Sequence, residues 1–165
     1  MKKIKSIYEI AEKTGYDTKK AYLCGIAHDI CKEIPKPKMI KMVSKAGIAI
    51  SDYEMSRPSL LHGKAGSILL KEKMCIEDED VINAVAVHVS GGLELEPSAM
   101  ILYIADKNER GRSFVTEEFL QELFSHNLED MYGLSVENTY RYLSSKNYEI
   151  YEDTFELMTK LGIKY

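Results

Sequence analysis

The sequence predicts an all-α fold arranged as a single domain over residues 1–165. Three observations carry that expectation. Apolar residues recur at helical spacing along nearly the whole chain, glycines and prolines fall between those runs, and no stretch alternates apolar and polar residues as a half-buried strand would.

The elements follow in order. Ile4, Ile7, Ile10 and Ala11 keep helical spacing, and Gly15 is placed to stop that first helix. Asp17 or Thr18 caps the next one, which turns Ala21, Cys24, Ala27, Ile30, Cys31 and Ile34 toward a core until Pro35 and Pro37 break it. A short helix from about Pro37 to Ala46 ends at Gly47, and IAISDYEMSRPS reads as an irregular connection. From Ser59 the helical pattern resumes in LLHGKAGSILLKEKM, with Leu61, Ala65, Ile68 and Leu69 inside. Gly63 and Gly66 weaken this helix and are residues that permit close backbone approach. EDEDVINAVAVHVS begins with acids, as helix N-termini favour, and ends at Gly91-Gly92. Pro97 opens PSAMILYIADKNERG, whose apolar run fits a buried helix. Amphipathic helices over TEEFLQELFSHN, LSVENTYRYLSSK and YEDTFELMTKLG complete the chain.

Composition narrows the class. Hydrophobic residues make up 45% of the chain, enough for a core, and the four prolines and ten glycines do not form a linker. A net charge of −4 argues against a nucleic-acid partner, which needs a basic surface, but leaves room for a local basic pocket. Three cysteines without a CxxC pair point to reduced thiols, with Cys24 and Cys31 as small buried residues. MKKIKSIYEIAEKTG lacks the apolar run of a signal peptide, and no stretch reaches the length of a membrane span. A soluble, cytoplasmic protein with no membrane partner is expected.

The stretch CGIAHDICKE places His28 and Asp29 side by side in an otherwise apolar helix. Burying such a pair is costly unless it is partnered, and a metal is one partner that satisfies both groups. His62, His88 and Asp106 likewise interrupt strongly apolar segments. Each histidine taken singly reads as an ordinary core or surface residue. Four apolar helices, each interrupted once, are what an inward-facing metal site in a bundle requires. Imidazole with carboxylate suits iron, manganese or zinc, and five such groups can hold two metals if Asp29 bridges them.

AYLCGIAHDICKE, RPSLLHGKAG, AVAVHVSGG and ILYIADKNERGR, in that order and spacing, resemble the HD-domain metallophosphohydrolase superfamily. More narrowly they are similar to its bacterial branch that hydrolyses diadenosine tetraphosphate symmetrically to two ADP. The set HDxxK, LLHGxxG, a histidine before a small polar residue and glycine, and AD-x-x-E-x-GR carries the resemblance, which spans essentially the whole chain. It implies an HD-domain helical bundle in which His28, Asp29, His62, His88 and Asp106 are metal ligands. It also implies a dinuclear centre, iron with manganese or zinc as alternatives, that activates a hydroxide for attack on an inner phosphorus. Asp29, Lys32 and Arg112 are then the catalytic candidates; Lys32, Gly63, Glu109 and Arg112 are the substrate-binding candidates. The partner implied is a dinucleoside polyphosphate or other nucleotide, with homodimerisation compatible with a helical domain of this size.

Two departures stand out. Val89 and Ser90 follow His88 where the family usually has threonines. Family members also carry a further ligand histidine in the first helix, about four helical turns before the position of Gly15. That register falls before Met1, and residues 1–15 contain no histidine. Tyr8, Glu9 and Glu12 are out of register and read as exposed helix residues. One ligand fewer predicts a weakened metal site unless the true start lies upstream and restores the histidine, so the alternatives left open are an HD-type nucleotidase or phosphodiesterase acting on another nucleotide, and a catalytically weakened nucleotide-binding protein. Lys64 and Arg110 read mainly as solvated surface residues, and His126 as a surface histidine. Tyr132, Tyr140, Tyr142, Tyr148, Tyr151 and Tyr165 read as core or interface packing rather than as platforms for a base.

Overall fold

A computed structural model describes residues 2–165, with side chains from Ser6 onward. The side chain of Ile4 therefore lies outside the described residues. Among the described residues ten α-helices follow one another: α1 Lys2–Thr14, α2 Thr18–Ala27, α3 Lys36–Lys45, α4 Asp52–Ser56, α5 His62–Lys73, α6 Glu79–Val87, α7 Pro97–Lys107, α8 Glu117–Leu123, α9 Leu128–Ser145 and α10 Glu152–Lys160. A 3₁₀ turn at Pro58–Leu61 leads into α5. Among the described residues the only extended pairing is one isolated bridge, Arg110 to Arg112. Among the described residues no helix is long and apolar enough to cross a membrane.

The bundle is built around α7. Pro97 supplies a preset first turn, and every residue from Ser98 to Asp106 except Met100 is buried. A helix apolar on all sides needs neighbours on all sides. Here α1, α2, α6 and α9 provide them. Ile7, Ile10, Leu102, Ile104 and Met131 belong to this main core. A second cluster, Cys31, Met39, Val43, Leu61, Ala65 and Ile68, fastens α3 to α5 and the 3₁₀ turn.

Local chemistry fixes the helix ends. Asp17 caps α2 by accepting from the N–H groups of Lys19 and Lys20, and Asp78 does the same at α6. Two boundaries differ from the expectation. Residues 52–56, read as irregular, form α4 because Ser51 and Glu54 make a reciprocal capping box. The α-helical ladder of α2 stops at Ala27, and bonds then run over three residues, from Ile30 N–H to Ala27 at 3.1 Å and from Lys32 N–H to Asp29 at 2.9 Å. This tightening turns each residue further about the axis than an α-helix would. Ile30, expected in the core, is consequently 38% exposed.

Two polar pins hold the end of the bundle where the histidines gather. Asn108 donates to Ile104 O at 2.9 Å and to Ser135 Oγ at 2.6 Å, tying the end of α7 to α9. Tyr132 on α9 donates to Gly92 O at 2.9 Å and accepts from Gly92 N–H at 3.0 Å, which anchors the loop after α6. That loop turns at Gly91, whose φ of +71° favours glycine and where a Cβ would meet the Tyr132 hydroxyl at 2.7 Å.

Candidate metal centre

Four helix ends converge on one place. His28 is the C-cap of α2, His62 the first residue of α5, His88 the C-cap of α6, and Asp106 lies one residue from the end of α7. His88 and His28 are buried, as is Asp106.

The three imidazoles are held alike. His28 Nδ1 lies 2.8 Å from Gly25 O, His62 Nδ1 2.7 Å from Ser59 O, and His88 Nδ1 2.7 Å from Val85 O. A carbonyl can only accept, so each Nδ1 donates and each ring turns its Nε2 inward. Those nitrogens face other ring nitrogens and carboxylate oxygens. His62 Nε2 is 3.1 Å from His88 Nε2 and 3.4 Å from Asp29 Oδ1, and His88 Nε2 is 3.9 Å from the same oxygen. His28 Nε2 lies 3.3 Å from Asp29 Oδ2 and 4.0 Å from Asp106 Oδ1.

Lone pairs so close repel unless a cation sits among them. A proton does not serve at His88, because burial first, with the neighbouring Lys107 and histidines adding to it, pushes this imidazole down to about 3. Burial would raise the Asp29 carboxyl, but its contacts with His28, His62 and the Lys32 ammonium outweigh burial and hold Asp29 ionised far below the usual carboxylate range, provided that positive charge sits at the imidazole contacts, as a metal ion held there would supply. Imidazoles with backbone-anchored Nδ1 atoms around an ionised carboxylate match the donor set of a transition-metal ion. The donor atoms of Asp29, His62 and His88 already lie within 4.8 Å of one another. The two Asp29 oxygens face different sides, Oδ1 toward His62 and His88 and Oδ2 toward His28.

Gly63 makes this convergence sterically feasible. A Cβ there would stand 2.8 Å from Ala86 O, 2.9 Å from Val85 O and 3.2 Å from His88 Nδ1. Only the bare Cα lets α5 approach α6 closely enough to bring His62 onto His88. Gly63 is itself buried in that contact.

Cations surround the carboxylates. Lys32 Nζ lies 2.8 Å from Asp29 Oδ2, Lys107 Nζ 3.3 Å from Asp106 Oδ2, and Arg112 Nη2 3.5 Å from Asp106 Oδ1. The Arg112 Nε is buried and makes no hydrogen bond to the described residues. Glu109 opens the turn that brings Arg112 round, its carbonyl accepting from Arg112 N–H at 3.2 Å. Elsewhere, Arg110 pairs with Glu117 at 3.2 Å, His126 lies at the surface 4.0 Å from Asp130, and Lys64 pairs with Glu54 at 2.7 Å. Cys24 and Cys31 are buried thiols and Cys75 is exposed. Burial, chiefly, pushes the Cys24 thiol up to about 12, so it stays protonated and inert.

Beside the cluster lies a cavity of about 310 Å³. Lys107 and Arg112 form its wall next to Asp106, and Lys64 also lines it. The rest is largely aromatic and apolar. Phe114 stacks on Tyr142 with ring centres 4.2 Å apart, and Tyr53 stacks on Tyr151 at 5.0 Å. Lys107, half of this wall and directly after Asp106, was not singled out by sequence; a lysine ending an apolar helix was the available signal. Tyr140, Tyr142 and Tyr151, read as packing residues, line the cavity, whereas Tyr132 is buried and Tyr148 and Tyr165 are exposed.

Comparison with known proteins agrees with this geometry. The pattern of the HD domain family matches residues 5–111. The symmetrical bis(5′-nucleosyl)-tetraphosphatase of Bacillus subtilis (strain 168) is 30% identical over 147 residues, covering 89% of this chain and 78% of that protein. Its counterpart from Halalkalibacterium halodurans is 30% identical over 153 residues, covering 93% and 81%. The crystal structure of an HD-superfamily hydrolase from Clostridium acetobutylicum, described as involved in NAD metabolism, superposes with a TM-score of 0.85 at 31% identity, covering 96% of this chain and 84% of that one.

Proposed function

The chain belongs to the HD domain family, and from that premise we propose that it is a metal-dependent phosphohydrolase cleaving diadenosine tetraphosphate symmetrically to two ADP. One observation carries the reading: three backbone-anchored histidines aim their Nε2 lone pairs at the two oxygens of one ionised aspartate. The names and similarity of the relatives support the substrate.

In this reading His28, Asp29 and Asp106 would hold one metal, and Asp29, His62 and His88 would hold the other. Iron fits the mixed imidazole and carboxylate set, with manganese or zinc as alternatives. The metals, when bound, supply Lewis acidity that makes water a nucleophile at neutral pH and offsets charge on the phosphoryl oxygens. Lys32 fixes the orientation of Asp29 through its 2.8 Å ion pair. Arg112 and Lys107 stand between Asp106 and the cavity and bind the polyphosphate chain, neutralising the charge that develops on it. Glu109 shapes the turn that presents Arg112. Gly63 serves the substrate site through the α5–α6 contact that sets the positions of His62 and His88.

The test is product analysis on protein loaded anaerobically with iron, alongside metal quantification. ADP as the sole nucleotide product, with metal bound, is the expected result. Release of ATP and AMP would refute symmetrical cleavage. Absence of both metal and turnover would leave a nucleotide-binding protein instead.

A further inference from the structure

We propose that the outward face of α2 is a homodimer interface, on which two copies of the chain pair antiparallel about a two-fold axis at Ile26. This surface is separate from the candidate metal centre and its cavity, and its pairing does not depend on the hydrolase reading.

The helix α2 is apolar on two faces. Ala21, Cys24, Gly25 and Ala27 are buried on its inward face, where α2 packs against α1, α6 and α7. The outward face carries Tyr22, Ile26 and Ile30, which remain 48%, 51% and 38% exposed. Single apolar residues at a surface are ordinary. These three recur every four residues and so form one stripe along one helix. The tightened turns after Ala27 lengthen the stripe, because they rotate Ile30 out of the core.

The charges at the ends of the stripe point to a second copy as its occupant. Lys20 is taken up by Asp78 at 2.9 Å and Asp80 at 3.1 Å, and Lys32 by Asp29 at 2.8 Å. Lys19 and Glu33 are exposed and make no ion pair among the described residues. Each also stands at the end of its helical segment that disfavours it, a cation at the start and an anion at the finish.

The positions are symmetric about Ile26. Tyr22 and Ile30 lie four residues to either side, and Lys19 and Glu33 seven. In an antiparallel pair centred there, Ile26 meets its own counterpart, Tyr22 meets the partner's Ile30, and Lys19 meets the partner's Glu33. Rises of about 1.5 Å per α-helical residue and about 2.0 Å per 3₁₀ residue put Lys19 roughly 11 Å before Ile26 and Glu33 roughly 14 Å after it. A lysine side chain spans that difference. Antiparallel pairing also sets each misplaced charge beside the oppositely polarised end of the other helix.

A stripe of three side chains falls short of the ~1,600 Å² of a standard interface, so the pairing is weak, with a Kd of about 10–100 µM. None of the residues lining the cavity lies on α2. Both copies therefore keep an open site, while the helix that ends at His28 gains a neighbour on its outer side.

Sedimentation velocity on the full chain, at concentrations spanning that Kd range, tests the pairing. Wild type should show a monomer–dimer equilibrium. Ile26→Asp, which would set two carboxylates face to face on the axis, should stay monomeric throughout. Lys19→Glu and Glu33→Lys should each weaken dimerisation about tenfold, because attraction becomes repulsion at two symmetry-related contacts. The double variant restores opposite charges across the axis and should recover wild-type affinity to within about threefold. Both charge changes fall on exposed side chains, so this comparison does not rely on a change to the apolar stripe. A wild type that stays monomeric well above ~100 µM overturns the proposal. A dimer that Ile26→Asp leaves intact also overturns it, since the interface would then lie elsewhere. A double variant that dimerises no better than either single variant overturns the antiparallel pairing.

Discussion

Replacing Gly63 by alanine adds one methyl group at the contact that brings His62 and His88 together. The new Cβ would lie 2.8 Å from Ala86 O and 2.9 Å from Val85 O, whereas ordinary contact begins near 3.4 Å. Backbone oxygens cannot rotate aside as a flexible side chain does, so α5 and α6 must separate by about 0.6 Å, the difference between those distances. Overpacking of this kind costs roughly 1–3 kcal/mol. For a chain of this size each kcal/mol lowers Tm by about 2–4 °C, so a fall of about 2–12 °C is expected in chelator. The metal should suffer separately. His62 moves off His88, and the 2.7 Å bond from His88 Nδ1 to Val85 O is strained by a methyl 3.2 Å from that nitrogen. Disturbing the groups that orient a ligand typically costs 10–100-fold in metal affinity. Scanning calorimetry in chelator and a competitive metal titration read the two effects apart. A variant with wild-type Tm and metal affinity would refute the claim that the bare Cα of Gly63 sets the histidine spacing.

Two further outcomes follow from the same structure. His62→Ala and Asp106→Asn should each lower bound metal and reduce turnover by more than about 100-fold, a larger loss than for groups that only orient a ligand; full activity with full metal content in either variant would remove that residue from the site. Glu54 pairs with Lys64 at 2.7 Å; burial raises its pKa, but the Lys64 and Ser51 contacts win and lower it. A carboxyl depressed in the folded state stabilises above its unfolded pKa and loses that contribution as pH falls through the folded value. Wild type should therefore exceed Glu54→Gln by roughly 1–2 kcal/mol at neutral pH in urea unfolding, with the gap closing below about pH 4; a gap that does not vary with pH would exclude the ion pair as its cause.

The residues of the candidate metal centre stand out in the sequence because each breaks a strong local pattern. His28, His62, His88 and Asp106 interrupt apolar helical runs, and Asp29 stands beside the first of them. Gly63 was visible as a glycine permitting close approach, but what approaches it was not, since Ala86 and Val85 lie more than twenty residues away. A lysine at a helix end is usually solvated, and nothing in the spacing shows that the Lys107 ammonium folds back to within 3.3 Å of Asp106. Tyr140, Tyr142 and Tyr151 repeat too irregularly for spacing to show that they border one cavity. Residues 52–56 were read as irregular although Ser51 and Glu54 spell a capping box, because no long apolar run follows them.

The sequence by itself determined the all-α class, the order of the main helices and the residue types able to bind a metal. Those properties depend on spacing within ten or fifteen residues, where helical periodicity, caps and breakers act. Only the tertiary structure decided that four helix ends meet. It also turned each Nδ1 to a carbonyl, sent the two oxygens of Asp29 to different histidines, and placed an aromatic cavity beside Asp106. Distances of about 3 Å between residues 26 or more positions apart follow from how helices pack. No local pattern encodes them.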